Sequence, residues 1–227
     1  MEAKVKALHK RRRRQTCNKI RYALFIVDNS GSIGASTFNK VRNLLAHISE
    51  KLCDRLRVAM MTYSSDINLE FCFKCYTDRR DIFNAIKRVR YRGGWTHTTD
   101  ATKCACQKLL TPECGLPSDP STIPSIDIIY LTDGLHNGPC RNNLQNELNC
   151  FHTRTNINTY AIAVGNAARA SVKAIEDPQK LADVHIFDVD DFQALEELFN
   201  LINLVLNEKE SNGKPVYSCF SHDGACH

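Results

Sequence analysis

A short apolar stretch that runs directly into a polar turn constrains the fold of this chain more than any other feature. Residues 23–27 (Ala-Leu-Phe-Ile-Val) have the length and apolar character of a buried β-strand. A turn of sequence Asp-Asn-Ser-Gly-Ser follows, and an amphipathic helix is predicted from about Thr37. Gly31 allows the chain to fold back, so oxygen-bearing side chains can converge at the carboxyl end of the strand. These side chains are Asp28, Ser30 and Ser32, and they would form half of a site for a hard cation.

Strand patterns and helix patterns alternate along the chain. The exception is a pair of strands, 57–63 and 67–73, whose three-residue connection requires an antiparallel arrangement. Other strands are predicted at 127–131, 156–164 and 185–189, and the last helix at 191–206. Alternating strands and helices require right-handed crossovers and helices on both faces of the sheet. We therefore expect an α/β fold with a doubly wound, mostly parallel, six-stranded sheet and one antiparallel edge strand.

Two later loops carry further oxygen ligands. Gly93 and Gly94 precede the hydroxyl of Thr96, and the strand at 127–131 leads to the carboxylate of Asp133. Strand ends beside the switch point of an open parallel sheet lie close together, so these oxygens and those of the first turn would share one crevice. Hard oxygen ligands with few formal charges suit Mg²⁺, which takes six ligands at about 2.1 Å and usually keeps some water.

These three loops together resemble the metal-ion-dependent adhesion site of the von Willebrand factor type A domain, in its extracellular integrin I-domain and matrilin-like forms. The motifs are D-x-S-x-S at 28–32, G-G-x-T-x-T at 93–98 and T-D-G at 132–134, and the likeness extends over 21–207. The resemblance implies that Ser30 and Ser32 bind the metal directly, and that Asp28, Thr96 and Asp133 bind it directly or through water. An acidic residue of a protein partner would complete the coordination shell. Mg²⁺ is the expected cation, with Mn²⁺ or Ca²⁺ as alternatives.

Eleven cysteines indicate an oxidising compartment. The odd number leaves at least one thiol unpaired, and we expect this to be Cys53. The other ten are disulfide candidates: Cys17, Cys72, Cys75, Cys104, Cys106, Cys114, Cys140, Cys150, Cys219 and Cys226. Terminal disulfides in some members of the resembled family suggest Cys17 with Cys219, and a loop staple would join Cys140 to Cys150.

A zinc site is a weaker interpretation of the cysteines at 72, 75, 104 and 106. Two cysteines that are two positions apart on a helix direct their sulfur atoms about 200° apart, which does not suit a shared ligand pair. We therefore expect these four residues to link an edge strand to a neighbouring helix through disulfides.

The basic residues are concentrated in the first 21 positions, which have a net charge of +8 and leave −3 for the remainder. The run at 10–14 would suit a nuclear address, a nucleic-acid or heparin-binding arm, a protease-processing site or a solvated tail. No nucleic-acid-binding motif accompanies it. The chain also has no membrane-length apolar run and no signal-peptide pattern at its start. We expect a secreted fragment, with a basic extension at 1–20, the domain at 21–207 and a linker with the start of a cysteine-rich segment at 208–227.

Several side chains around the expected crevice are candidates for contact with a partner. These rim candidates are Trp95, His97, His136 and Asn137. Arginines at 79, 80, 88, 90 and 92 lead into the Thr96 loop, where they could steer an acidic ligand or simply form a solvated face.

No arrangement of residues points to catalysis. The two serines have no adjacent base, and no nucleophile elbow, zinc-protease helix or phosphate-binding loop occurs. We therefore expect a non-enzymatic, extracellular, metal-dependent adhesion or matrix-binding module. Two alternatives stay open: a structural cross-linking module of an extracellular or mineralised matrix, and an intracellular module of a metal-dependent or nucleic-acid-associated complex.

Overall fold

A five-stranded sheet forms the centre of the computed structural model, which describes residues 20–133 and 144–163 of the 227-residue chain. The strands are β1 (Arg21–Asp28), β2 (Leu56–Tyr63), β3 (Ile67–Phe71), β4 (Ile126–Thr132) and β5 (Ile157–Ala163). They pair in the order β3-β2-β1-β4-β5. All neighbours are parallel except β2 and β3, which confirms the mostly parallel sheet with one antiparallel edge strand.

Helices lie in the connections between the strands, except in the three-residue connection between β2 and β3. They are α1 (Gly34–Lys51), α2 (Arg79–Arg88), α3 (Thr98–Cys104) and α4 (Leu144–His152). A π-helical turn (Ala105–Leu109) continues α3, and short 3₁₀ turns occupy Pro112–Cys114 and Pro120–Thr122. Within the described ranges, no helix combines the length and the apolar character needed to cross a membrane.

Alternation along β1 explains why both faces of the sheet are covered. Phe25 and Val27 belong to an apolar cluster with residues of α1 and α2, whereas Leu24 and Ile26 belong to a cluster with residues of α3 and α4. Successive side chains of a strand point to opposite faces, so a strand that is apolar at every position requires a layer of helices on each side. The expected doubly wound architecture is therefore confirmed.

Some element bounds differ from the sequence-based expectation. α1 begins at Gly34 and not near Thr37, because the turn after β1 is complete at Ile33, whose backbone is already helical (φ −64°, ψ −38°). β3 ends at Phe71 and not at residue 73, because the following residues form a turn in which the Cys75 amide donates to the Cys72 carbonyl at 3.0 Å. The predicted strand at 185–189, the predicted helix at 191–206 and the domain end at 207 lie outside the described residues.

Two disulfides hold the second helical layer. Cys72, after β3, pairs with Cys114 across a Cα–Cα distance of 4.9 Å, and Cys106, in the π-helical turn, pairs with Cys150 of α4 across 6.4 Å. The expected disulfide between Cys140 and Cys150 is therefore wrong, because Cys150 is bonded to Cys106.

The remaining cysteines require two further corrections. Cys75 and Cys104 are free thiols, so the expectation that both take part in disulfides is wrong. The Cys75 sulfur instead accepts a hydrogen bond from the Cys72 amide at 3.2 Å within the same turn. Cys53 is buried and disulfide-bonded, and is not the unpaired residue we expected. The cysteines at 17, 140, 219 and 226 lie outside the described residues.

A buried ion pair lies at the amino end of the parallel strands. The guanidinium of Arg21, the first residue of β1, donates to Asp127 Oδ2 of β4 at 2.6 Å. Asn158 Nδ2 of β5 donates to the other carboxylate oxygen at 2.9 Å. The three strands are therefore connected by polar side chains at the end of the sheet that is opposite to β1's Asp28.

Candidate metal site

Asp28, the last residue of β1, is one of three fully buried candidate ligands, together with Ser30 and Thr96. It is fully inaccessible to solvent, and both carboxylate oxygens accept hydrogen bonds. The Ser30 amide donates to Oδ1 at 2.9 Å, and the hydroxyl of Thr132, the last residue of β4, donates to Oδ2 at 2.8 Å. Because β1 and β4 are parallel neighbours, their carboxyl ends bring these groups together.

The electrostatic environment of Asp28 disfavours its charged form. The pKa of Asp28 is raised from 3.8 to about 7, mainly because burial removes the carboxylate from water, with a smaller contribution from the negative charge of Asp133. Hydrogen bonds from Ser30 and Thr132 act in the opposite direction and favour the ionised form. Asp133 follows β4 and is itself buried, so the two carboxylates predicted as ligands are close enough to repel each other.

The two serine hydroxyls lie side by side. Ser30 Oγ and Ser32 Oγ are 3.0 Å apart, within hydrogen-bonding distance. Ser30 is fully buried, whereas Ser32 is exposed. One of the two adjacent hydroxyl groups therefore belongs to a buried residue and the other to an exposed residue.

Backbone hydrogen bonds join the first turn to the Thr96 loop. The Gly31 amide donates to the Gly94 carbonyl at 2.8 Å, and the Gly93 amide donates to the Asn29 carbonyl at 3.0 Å. Thr96 is fully buried beside this junction. Two loops that are about sixty residues apart in sequence are thus fixed against each other, which is what a shared ligand site requires.

Gly94 occupies a position that no other residue would fit without strain. Its φ angle is +99°, and a Cβ atom added to it would lie 2.6 Å from Ser65 Oγ. That hydroxyl accepts a hydrogen bond from the Trp95 amide at 2.9 Å, so it cannot move away without losing this contact. Glycine is required here both for the backbone conformation and for the close approach.

Asn29 and Thr132 have positioning roles that the sequence did not reveal. The Asn29 side chain donates to the Arg90 carbonyl and accepts from the Arg92 amide, each at 2.9 Å. Its own amide donates to the Tyr63 carbonyl of β2 at 2.7 Å. In the sequence, Thr132 was only the first residue of the T-D-G motif and Asn29 only adjoined predicted ligands; neither position signals these contacts, because Asn and Thr are common in turns for other reasons.

The rim candidates differ in exposure. Trp95 is 62% exposed, which is unusual for the only tryptophan of the chain, and it lies next to the buried Thr96. His97 is half-buried, and its Nδ1 lies 3.9 Å from an Asp100 carboxylate oxygen. His136 and Asn137 lie outside the described residues.

The chemistry of the donors fits a hard cation. In the part of the chain that the structure describes, no group of three or more His, Cys, Asp or Glu side chains is arranged to hold a metal. The crevice instead combines buried carboxylates with hydroxyl oxygens, which are ligands for Mg²⁺, Ca²⁺ or Mn²⁺ and not the thiolate and imidazole set of a structural zinc site. A cation would also offset the repulsion between Asp28 and Asp133.

Comparisons with curated proteins find matrix and adhesion proteins. The human collagen alpha-1(XX) chain is 27% identical over 201 residues, which are 85% of this chain and 14% of the collagen chain. Human matrilin-3 is 29% identical over 179 residues, 77% of this chain and 35% of the matrilin. Mouse integrin alpha-X is 25% identical over 203 residues, 87% of this chain and 17% of the integrin. The chain thus spans well under half the length of these relatives.

Solved structures and a family model agree on the fold. Proximal thread matrix protein 1 from the mussel byssus, crystal form 2, superposes with a TM-score of 0.70 at 17% identity, covering 84% of this chain and 49% of that one. Another structure of that protein, described as having a zinc-occupied MIDAS motif, gives a TM-score of 0.67 at 20% identity, covering 85% and 47%. The model of the von Willebrand factor type A domain matches residues 24–201, so this chain belongs to the von Willebrand factor type A domain family.

Proposed function

We propose that this domain is an extracellular adhesion or matrix-binding module that binds an acidic residue of a protein partner through a divalent cation, preferably Mg²⁺. The residues that would hold the cation are Asp28, Ser30, Ser32, Thr96 and Asp133. When bound, the cation would supply an open coordination position for a carboxylate oxygen of the partner. The module is proposed to act by binding and not by catalysis.

The observation that carries this proposal is the geometry of Asp28 and its surroundings. Its carboxylate is buried, lies near a second carboxylate, and is nevertheless oriented by hydrogen bonds from the Ser30 amide and the Thr132 hydroxyl that favour the ionised form. A purely structural site would more easily carry a neutral side chain here, because a buried uncompensated carboxylate destabilises the fold. A bound cation compensates this charge.

The two serines and the junction between the loops have further roles in the proposed site. Ser30 and Ser32 present adjacent hydroxyl oxygens between the interior and the surface, where a partner can reach them. The backbone hydrogen bonds from Gly31 to Gly94 and from Gly93 to Asn29 hold the Thr96 loop against the first turn, so the ligand oxygens would need little rearrangement on binding.

The relatives support the extracellular part of the proposal. Collagen, matrilin and integrin chains all contain a domain similar to this one. The thread matrix protein, one structure of which is described as having a zinc-occupied MIDAS motif, supports the proposal of a divalent cation at the corresponding motif. The preference for Mg²⁺ rests on the oxygen donors alone.

Thermal unfolding of the non-reduced chain in Mg²⁺ and in EDTA tests the metal site. At a concentration of about one hundred times the dissociation constant, a cation that binds only the folded state adds about 2.7 kcal/mol, which raises the melting midpoint by roughly 5 to 10 °C. Asp133→Ala should abolish this shift. Asp119→Ala is the matched control, because Asp119 is exposed and precedes β4 at the opposite end of the sheet, and it should retain the shift.

A failure of this experiment would favour another function. If neither the wild-type chain nor the control responds to Mg²⁺, and the midpoint instead falls sharply with reductant, the domain acts as a disulfide-stabilised structural module. Mostly reduced cysteines in protein purified without reductant would instead favour the intracellular alternative.

A further inference from the structure

An extended segment beside the candidate metal site presents two arginines to solvent. After α2 ends at Arg88, the backbone of Val89 is extended (φ −61°, ψ 130°), and burial then alternates along the chain. Val89 is buried, and the half-buried Tyr91 donates its hydroxyl hydrogen to the Ser30 carbonyl at 3.2 Å. Arg90 and Arg92 are exposed. We refer to Arg90 and Arg92 together as the arginine edge.

The arginine edge is attached directly to the turn that carries the proposed ligands. Asn29, between Asp28 and Ser30, binds the Arg90 carbonyl and the Arg92 amide through its side chain. On the inward side, the Tyr91 ring lies 5.8 Å from the ring of Phe38 in α1. Backbone and inward side chain are therefore fixed, and only the two guanidinium groups remain free to meet a ligand.

The charges of the arginine edge are not used within the described part of the fold. Arg21 and Arg79 form ion pairs with Asp127 and Asp54, and Arg42 donates to the Val89 carbonyl. No carboxylate of these ranges lies within ion-pairing distance of Arg90 or Arg92. Two uncompensated positive charges thus lie beside a crevice that contains two buried carboxylates.

We propose that the arginine edge selects partners with an extended acidic segment, in which one carboxylate completes the metal site and further carboxylates lie opposite Arg90 and Arg92. This inference rests on the proposed function. Residues two apart in an extended chain are separated by about 6.5 to 7 Å, so acidic side chains at alternate positions of the partner match the spacing of the two arginines. Trp95, which is exposed and follows the glycine pair, would provide an apolar contact next to Thr96.

The expected contribution is modest and sensitive to salt. Each exposed pair of opposite charges contributes little by itself, and such pairs mainly increase the association rate and discriminate against wrong partners. Together the two arginines should improve affinity roughly three- to tenfold at low ionic strength. At about 0.5 M salt the gain in affinity should nearly vanish, because exposed charges then interact only over a few ångströms.

Two immobilised synthetic peptides test this proposal by biolayer interferometry. One peptide carries a single Asp among Gly and Ser residues, and the other has the same length with acidic residues at four alternate positions. The wild-type chain in Mg²⁺ should bind the second peptide more tightly. The double variant Arg90→Gln/Arg92→Gln should lose roughly three- to tenfold in affinity for it at about 50 mM salt, with little change for the single-Asp peptide.

The matched control is Arg80→Gln/Arg154→Gln, which removes two exposed arginines at the opposite end of the sheet. It should bind both peptides like the wild-type chain. If the two double variants bind the acidic peptide with equal affinity, and the binding depends on Mg²⁺, the proposed role of the arginine edge is refuted. The proposed metal site is then still supported. Absence of any Mg²⁺-dependent binding would overturn the proposed function and the edge with it.

A heparin fragment on a third sensor separates acidic proteins from sulfated glycans. If heparin binding depends on Arg90 and Arg92 and is equally tight in EDTA and in Mg²⁺, while the two arginines contribute nothing to peptide binding in Mg²⁺, the surface is a separate polyanion site. The proposal is then wrong. Heparin binding that is weak and unaffected by the two substitutions supports selection of an acidic protein segment.

Discussion

The buried ion pair between Arg21 and Asp127 allows a test of what stabilises this fold away from the proposed site. The pair and the surface pair of Arg79 with Asp54 have the same N–O distance, 2.6 Å. They differ in burial: the side chains are 8% and 0% exposed in the first pair, and 20% and 51% exposed in the second. Comparison of two pairs with the same N–O distance and unequal burial therefore tests the effect of desolvation.

Substitution Asp127→Leu should be far more harmful than Asp54→Leu. It removes the carboxylate that pairs with the buried Arg21 guanidinium and that accepts a hydrogen bond from the Asn158 amide. The loss of one partner of a buried ion pair costs about 3 to 5 kcal/mol, whereas exposed pairs contribute at most about 1 kcal/mol. For a domain of this size the first change corresponds to a fall of roughly 10 °C in melting midpoint.

The double variant Arg21→Met/Asp127→Leu is the decisive measurement. Because it removes both charges, it should recover most of the stability that Asp127→Leu loses, in urea unfolding of the non-reduced chain. The stabilisation by Mg²⁺ should be unchanged in all these variants, because the pair lies at the other end of the sheet. Equal losses for Asp127→Leu and Asp54→Leu, or a double variant no more stable than Asp127→Leu, would refute the reasoning.

Two further predictions concern the junction of the loops and the free thiols. Gly94→Ala should cost about 2 to 4 kcal/mol and weaken the Mg²⁺ response, whereas Gly34→Ala, also at positive φ (+74°) but with no atom within 4 Å of the added Cβ, should cost only about 1 kcal/mol in the same melts. Similar losses in both variants would show that contact with Ser65 does not matter. Under non-reducing conditions iodoacetamide should label exposed Cys75 first, and Cys104 slowly, because burial raises the pKa of the Cys104 thiol. The labelling of Cys104, followed by mass spectrometry, should accelerate as the pH rises above 9, and equal rates at pH 8 would contradict the half-buried position of this thiol.

The strands of this domain could be predicted from the sequence because buried strands are recognisable as short apolar runs. Residues 23–27 and 128–131 are apolar on both faces, which is the pattern of central strands in a sheet covered by two helical layers. The antiparallel pair of β2 and β3 followed from a connection too short for a crossover. Element ends were less accurate, since they depend on turns such as the one at Cys72–Cys75, whose hydrogen bonds leave no periodic pattern.

The disulfides could not be predicted because pairing depends on distance in space and not on spacing in sequence. Cys72 and Cys114 are 42 positions apart and have Cα atoms 4.9 Å apart, because the 3₁₀ turn at Pro112–Cys114 packs against the chain after β3. Neighbouring Cys75 has an equally suggestive position in the sequence, yet it is exposed and its thiol is free. The contacts of Asn29 escaped prediction for the same reason, since they cross sixty residues of chain.

The candidate site places opposing demands on Asp28 that a structural role alone does not explain. Burial raises the pKa of this carboxylate to about 7, while the Ser30 amide and the Thr132 hydroxyl are both directed at its oxygens and favour the charged form. An aspartate in this position therefore lowers the stability of the isolated domain near neutral pH, and the repulsion from Asp133 adds to the loss. Proteins tolerate such local instability where a ligand relieves it, because binding then supplies the stabilisation. Arg90 and Arg92 are exposed, so their two positive charges are accessible to a partner, whereas the proposed cation would act on the two buried carboxylates.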